Sequence, residues 1–307
     1  MNKVWKTGLT LALLVTTLAG CVNQHPSGRA DTTVAMNRRE GKEEQGERII
    51  SGSIALCEIF DRLQINLVGV PETKLGQLPQ RYADTPTIGM PMNPDLERVA
   101  GLQPTIVYAP DSLTDWLKTG YEKNNIPCTF LNLRSVDGLY QTIHTLASAY
   151  GKQKEEEALL KEKEEFMAQI AARLNGKEKK RTLILMGLPG SYVAATPKSY
   201  VGSLLALAGG ENVVPAEHDE EFRQMNTEAL LQLDPDVILR TAHAVPEQVQ
   251  EMFQKEFSEN DIWKHFRAVQ EQKVYDLPAD SCGMSARFNY RTGVEAIIKA
   301  LYGLTEE

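Results

Sequence analysis

Cysteine is scarce, four in 307 residues (21, 57, 128 and 282), and no two are spaced as C-x-x-C. That excludes a zinc ribbon, a thioredoxin-type redox centre and a disulfide-stapled scaffold. Basic charge is also short. Lys plus Arg number 33 against 41 Asp plus Glu, a net charge of −8, so the chain lacks the electropositive footprint of a nucleic-acid binder. Enzymatic signatures are missing: there is no G-x-S-x-G, no H-E-x-x-H and no phosphate-binding G-x-x-x-x-G-K-[ST]. No apolar run is long enough to span a bilayer. Glycine (22) and proline (15) stand near their average shares, which excludes collagen-like and largely disordered chains. What remains, 42% apolar and 24% charged, is globular, with length for about two domains of about 150 residues.

The first segment is an address. Lys3 and Lys6 precede an apolar stretch over 8–19 that ends in Leu18-Ala19-Gly20-Cys21. Its length suits a secretory signal rather than a membrane span, and LAGC resembles the lipobox of bacterial lipoproteins, in which the cysteine becomes the acylated N-terminus. A plain signal peptide with a chance cysteine is the alternative. Loss of Lys3 and Lys6 leaves 31 basic against 41 acidic residues. Residues 21–47 are polar, without apolar periodicity, and read as a tether. Cys57, Cys128 and Cys282 lie near Leu56, Ile126 and Met284 and read as buried thiols.

From residue 48 onward, short apolar runs alternate with helical patterns, as in α/β folds. The predicted strands cover 48–51, 66–70, 86–89, 105–108 and 129–133, then 181–187, 192–195, 237–240 and 273–277. Between the two series, 137–174 reads as one long helix with Asp137 as its cap. It is amphipathic at both ends and polar over 151–157, the pattern of a rod joining two bodies. At about 1.5 Å per residue such a rod is roughly 57 Å long. An internal repeat supports two bodies. Glu97-x4-Leu102-x-Pro104-x-Ile106-Val107 recurs 131 residues later as Glu228-x4-Leu233-x-Pro235-x-Val237-Ile238, with Asn93-Pro94 and Asn226-Thr227 at the helix starts.

Ligands of open α/β sheets gather at the carboxyl ends of strands. One such end carries Gly89-Met90-Pro91-Met92, another Thr241-Ala242-His243. Each residue alone is compatible with ordinary packing. Together a thioether and an imidazole suit haem iron, and they fall short of the three or four ligands of a zinc site. His25, His144, His218 and His265 lie in the tether, on the long helix, in an acidic loop and beside Lys264. The turn Ser51-Gly52-Ser53 opens a helical pattern, where free N–H groups favour carboxylates or phosphates; an ordinary helix cap is the alternative.

The stretches LMGLPGSYVAATPKSYVGSLLALAGGENV (185–213), MFQKEFSENDIWKHFRAVQEQKVYDL (252–277), LPQRYADTPTIGMPMNPDLERV (78–99) and RIISGSIAL (48–56) resemble the haem-binding lipoproteins of Isd-type haem uptake. These belong to the class III substrate-binding proteins of ABC transporters. The resemblance runs over about 48–302. It implies an α/β fold of two Rossmann-like lobes joined by a single long rigid helix, with a ligand cleft between the lobes. The expected parts are a signal at 1–20, a tether at 21–47, lobes at 48–137 and 177–307 and a connecting helix at 138–176. It also implies haem as the transported ligand, with Met92 and His243 as axial iron ligands. Ser51, Gly52, Ser53, Ile54 and Ala55 would receive the propionates. Glu97 and Glu228 would dock onto the permease, and Cys21 would carry the lipid.

Two departures stand out. Met90 adds a second thioether, and Arg287, in a stretch that matches loosely, is placed at the cleft rim or in solvent. The expected protein is an exported, lipid-anchored, monomeric haem receptor, not an enzyme, that takes haem from surface donor proteins and passes it to an ABC permease. A ferric-siderophore or cobalamin binder of the same class is the alternative, and a haem-processing redox enzyme a more distant one.

Overall fold

The first strand is the buried segment Ile49–Ser51 (β1). It feeds α1 (Ile54–Arg62), whose start is fixed by Ser53: its hydroxyl accepts from the Leu56 N–H at 3.2 Å. The computed structural model describes residues 46–73, 76–216, 218–243 and 245–305. Cys21, the leader at 1–20 and nearly all of the 21–47 segment lie outside them. Among the described residues no helix is long and apolar enough to cross a membrane.

The N-terminal lobe continues through β2 (Gly89–Met90), β3 (Asn93–Pro94), α2 (Leu96–Gly101), β4 (Ile106–Pro110), α3 (Thr114–Lys123) and β5 (Cys128–Leu131). Its parallel sheet has the order β1-β4-β5. The runs expected as strands at 66–70 and 86–89 contribute only single bridges, Ile50 to Gly69 and Val70 to Thr87. There Pro71 and Pro86 interrupt the donors a ladder needs. The C-terminal lobe holds β6 (Arg181–Leu188), β7 (Ser191–Ala195), α6 (Tyr200–Leu207), β8 (Glu211–Asn212), β9 (Phe222–Arg223), α7 (Thr227–Gln232), β10 (Val237–Ala242), α8 (Pro246–Glu259), α9 (Arg267–Gln270), β11 (Val274–Asp276) and α10 (Tyr290–Tyr302). Its sheet order is β11-β10-β6-β7-β9, with β8 beside β6; β10 and β11 run parallel to β6, and β7 antiparallel to it.

The 131-residue repeat is structural. After that shift α2 has the same bounds as α7, and β4 starts where β10 starts, with β10 one residue longer. The caps match too: Asp95 accepts from the Glu97 and Arg98 N–H groups, and Asn226 from that of Ala229. Asp95, rather than Asn93-Pro94, therefore opens the first copy. Even the left-handed residue after each helix recurs, at Gln103 and Asp234.

The long segment differs from the expected rod. It forms two helices, α4 (Val136–Tyr150) and α5 (Gln153–Leu174), separated by Gly151 in the left-handed conformation at φ 66°. They fold back on each other. Lys163 reaches Asp137 at 2.9 Å, and His144 Nδ1 lies 2.7 Å from Glu156 Oε1; in a straight helix each pair would be separated by several turns. The polar stretch at 151–157 is thus the bend and the opening of α5. Ser135, not Asp137, caps α4. The lobe-to-lobe connection falls to α5, about 33 Å long. Its Glu162 accepts from Arg62 of α1 at 2.6 Å and from Arg291 of α10 at 3.4 Å, and farther along Arg173 pairs with Glu295.

One apolar core runs through both lobes, joining Leu56 and Phe60 of α1, Ile143 of α4, Phe166 of α5 and Ile297 of α10. Each such buried side chain stabilises the fold by about 1.5–3 kcal/mol. The lobes also meet through the backbone, where the Ala286 N–H donates to the Leu133 carbonyl at 2.8 Å.

Candidate functional site

The two expected iron ligands sit on different lobes, one on a tight hairpin and the other just past the end of a strand. On the N-terminal lobe, β2 and β3 form a small hairpin in which Gly89 pairs with Pro94 and Met90 with Asn93. Pro91 and Met92 make the tip, and Gly89 enters it at φ 89°, a conformation that disfavours any side chain. Met92 is 51% exposed and Met90 43%. An unbranched thioether displayed to solvent at this level is unusual for core packing and available to a ligand. Met90 lines a cavity of about 560 Å³ together with Pro71, Glu72, Gly76, Gln77 and Leu78.

On the C-terminal lobe, His243 follows the last residue of β10. Its N–H donates to the Gly187 carbonyl at 2.9 Å, which prolongs the β10–β6 pairing by one residue. The imidazole is half-buried, and burial holds it below the ordinary histidine range. It is therefore neutral at physiological pH, the form that binds metals. Its ring takes part in no hydrogen bond among the described residues. Val245 follows with φ 32°, strained for a β-branched residue, and is 43% exposed beside the start of α8.

The opening of α1 separates the five anion-site residues. The Ser51 N–H donates to the Gly69 carbonyl and the Gly52 N–H to that of Tyr108, so neither is free for a ligand. The N–H groups of Ser53, Ile54 and Ala55 have no acceptor among the described residues. Three such donors at the positive end of a helix suit a carboxylate.

Glu97 and Glu228 occupy the same place in the two copies of the repeat, the first turn of α2 and of α7. Both are exposed, and neither has an ion-pair partner among the described residues. Cys57 and Cys282 are buried and Cys128 partly so, and all three are free. Burial pushes each thiol up to about 12, which keeps them protonated and unreactive.

Two charged contacts between the lobes were not legible in the sequence. Arg287 leaves the loop before α10 and donates through Nε to Glu58 of α1 at 3.0 Å, with Nη2 on the same carboxylate oxygen. It does not stand in open solvent, since its side chain is only 17% exposed. Arg134, after β5, lies 3.0 Å from Asp111 in its own lobe and 3.2 Å from Glu221 in the other. A second cavity of about 380 Å³ opens there, lined by residues of both lobes that include Ser135 and Lys198. Burial raises the Glu221 carboxyl, with Arg134 opposing the shift and Asp111 reinforcing it. Only the composition of these loops could have signalled such pairs, and it does not fix partners so far apart in the chain.

Comparison with known proteins agrees with this architecture. The family model described as "Periplasmic binding protein" matches residues 49–281. The high-affinity heme uptake system protein IsdE of Staphylococcus aureus is 40% identical over 244 residues, 78% of this chain and 82% of the relative. An ABC transporter substrate-binding protein from Listeria monocytogenes superposes with a TM-score of 0.79 at 39% identity, covering 84% of this chain and all of that one. S. aureus IsdE complexed with heme gives the same TM-score at 37% identity, with 84% and 99% covered. With the family model spanning most of the chain and both lobes accounted for, this chain belongs to the periplasmic binding protein family.

Proposed function

We propose that the protein is an extracytoplasmic haem receptor, anchored to the membrane through Cys21, that hands haem to an ABC permease. One observation carries the reading. In a chain alike over most of its length to a relative solved with haem, an accessible thioether sits on one lobe and a neutral imidazole without hydrogen bonds on the other. A soft sulfur and a borderline nitrogen are the donor pair of low-spin haem iron. In this reading Met92 and His243 take the two axial positions, and the open N–H groups of Ser53, Ile54 and Ala55 receive a propionate. The exposed side chains of Met90 and Val245 lie against the porphyrin, whose burial supplies most of the affinity while the axial bonds fix its orientation.

Two protein ligands on the iron leave no open coordination position, so the site captures and releases rather than catalyses. Glu97 and Glu228, matched by the repeat, offer one carboxylate per lobe to cationic residues of a permease. Haem reaches the receptor from surface donor proteins, and the receptor acts as a monomer.

The test is a titration of the purified protein with haemin in the presence of excess ferric siderophore or cobalamin. The expected result is saturation at one haemin per chain with a low-spin spectrum that neither competitor disturbs. Preferential uptake of either competitor would overturn the reading.

A further inference from the structure

The Arg287–Glu58 pair is one-sided. Guanidinium–carboxylate pairs frequently meet fork to fork, each nitrogen on its own oxygen. Here Nε and Nη2 both converge on Glu58 Oε1. Glu58 Oε2 is buried without a hydrogen-bond partner, and no acceptor among the described residues takes Arg287 Nη1. The side chain is only 17% exposed, yet none of its nitrogens is among the buried atoms that lack a partner, so Nη1 is open to water and available to an incoming acceptor.

Its position indicates what that is. A Cβ built on Gly76 would fall 3.4 and 3.5 Å from the two terminal nitrogens of Arg287, and 3.3 Å from Cδ1 of Ile54. Gly76 also lines the cavity beside Met90. Glu58 lies one turn after Ile54 on α1, so the guanidinium stands beside the helix opening that presents the three free N–H groups. The backbone of Ala286, bonded to Leu133, fixes the loop that delivers it from the opposite lobe.

The geometry points to Arg287 as a binding residue for a ligand carboxylate, oriented by Glu58. It adds a full charge from the C-terminal lobe to the amide donors of the N-terminal lobe. The ligand class is a tetrapyrrole bearing free carboxylates, and the inference rests on the haem reading above. A charge-assisted contact of this kind discriminates a carboxylate from its ester by about tenfold or more.

The experiment measures binding of haemin and of haemin dimethyl ester to the wild type, R287Q and E58Q. The wild type should prefer the free acid. R287Q should lose that preference by about tenfold with its axial-ligand spectrum unchanged. E58Q breaks the same bridge but leaves the cation, and should keep or increase the preference. An acid-to-ester ratio in R287Q equal to that of the wild type overturns the assignment. So does an equal fall in E58Q, which would make the pair a structural tie between lobes. A wild type that binds neither porphyrin ends the haem reading itself, whereas binding of both with an unchanged ratio in R287Q ends only the role of Arg287.

Discussion

At the residue scale, Met90 and Met92 are two thioethers on one hairpin, and the geometry gives them different surroundings. Met92 occupies the tip with Pro91, whereas Met90 is paired with Asn93 and borders the cavity below it. On the proposed reading Met92→Ala alters the haem spectrum more than Met90→Ala, while Met90→Ala weakens affinity without changing the axial signature. The reverse order, read by absorption spectroscopy, would assign the iron to Met90. His243 adds a pH dependence. Because burial holds its imidazole below the ordinary value of about 6.5, the unfolded chain takes up the proton first on acidification. The contribution of His243 to stability is therefore complete above about 6.5 and is lost as pH falls toward the folded value. Haem ligation follows the same sign, so a pH titration of the bound spectrum should lose the His-ligated form only below 6.5. A midpoint above 6.5 would contradict a desolvated ligand.

At the element scale, the bend at Gly151 determines which helix joins the lobes. Periodicity located the apolar faces of Leu139, Ile143 and Leu146 and of Met167 and Ile170, but it also put Leu160 on the buried face, where the structure buries Leu159 instead and leaves Leu160 exposed. A polar middle, however, is the same signal whether a helix crosses open solvent or turns back, and only the left-handed φ of Gly151 separates the two. No neighbouring atom crowds that glycine, so Gly151→Ala carries the backbone cost alone. It should lower stability by about 1 kcal/mol in chemical denaturation without changing ligand binding. A neutral result would mean that the bend is held by Lys163–Asp137 and His144–Glu156 instead. The repeat was the most legible feature. Its shift of 131 residues carried over to helix bounds and strand starts because a short helix and a proline before a strand are local signals, although the first cap is Asp95 and not Asn93-Pro94. The weak strands at 66–70 and 86–89 were overestimated, since apolar content says nothing about the ladder donors that the flanking prolines remove.

At the scale of the whole molecule, two lobes share one core and are tied by α5, by Arg287–Glu58 and by Arg134–Glu221. The two lobes could be read from the sequence, and so could the β10 end that presents His243, whereas the Met90–Met92 hairpin stands apart from the sheet strand expected there. The ties between the lobes could not be read, because a contact 229 positions apart leaves no periodicity. The symmetric placement of Glu97 and Glu228 belongs to this scale as well. Charge reversal to Lys at either one should abolish haem uptake by cells while haem affinity in vitro stays at the wild-type level. A parallel fall in affinity would make these residues structural. The central claim is that one sulfur and one ring nitrogen from separate lobes hold the same iron. The most direct test is the absorption spectrum of the haem-loaded wild type beside that of His243→Ala. A six-coordinate low-spin spectrum that becomes high-spin in the variant is the predicted result, and an identical Soret band in both proteins would contradict it.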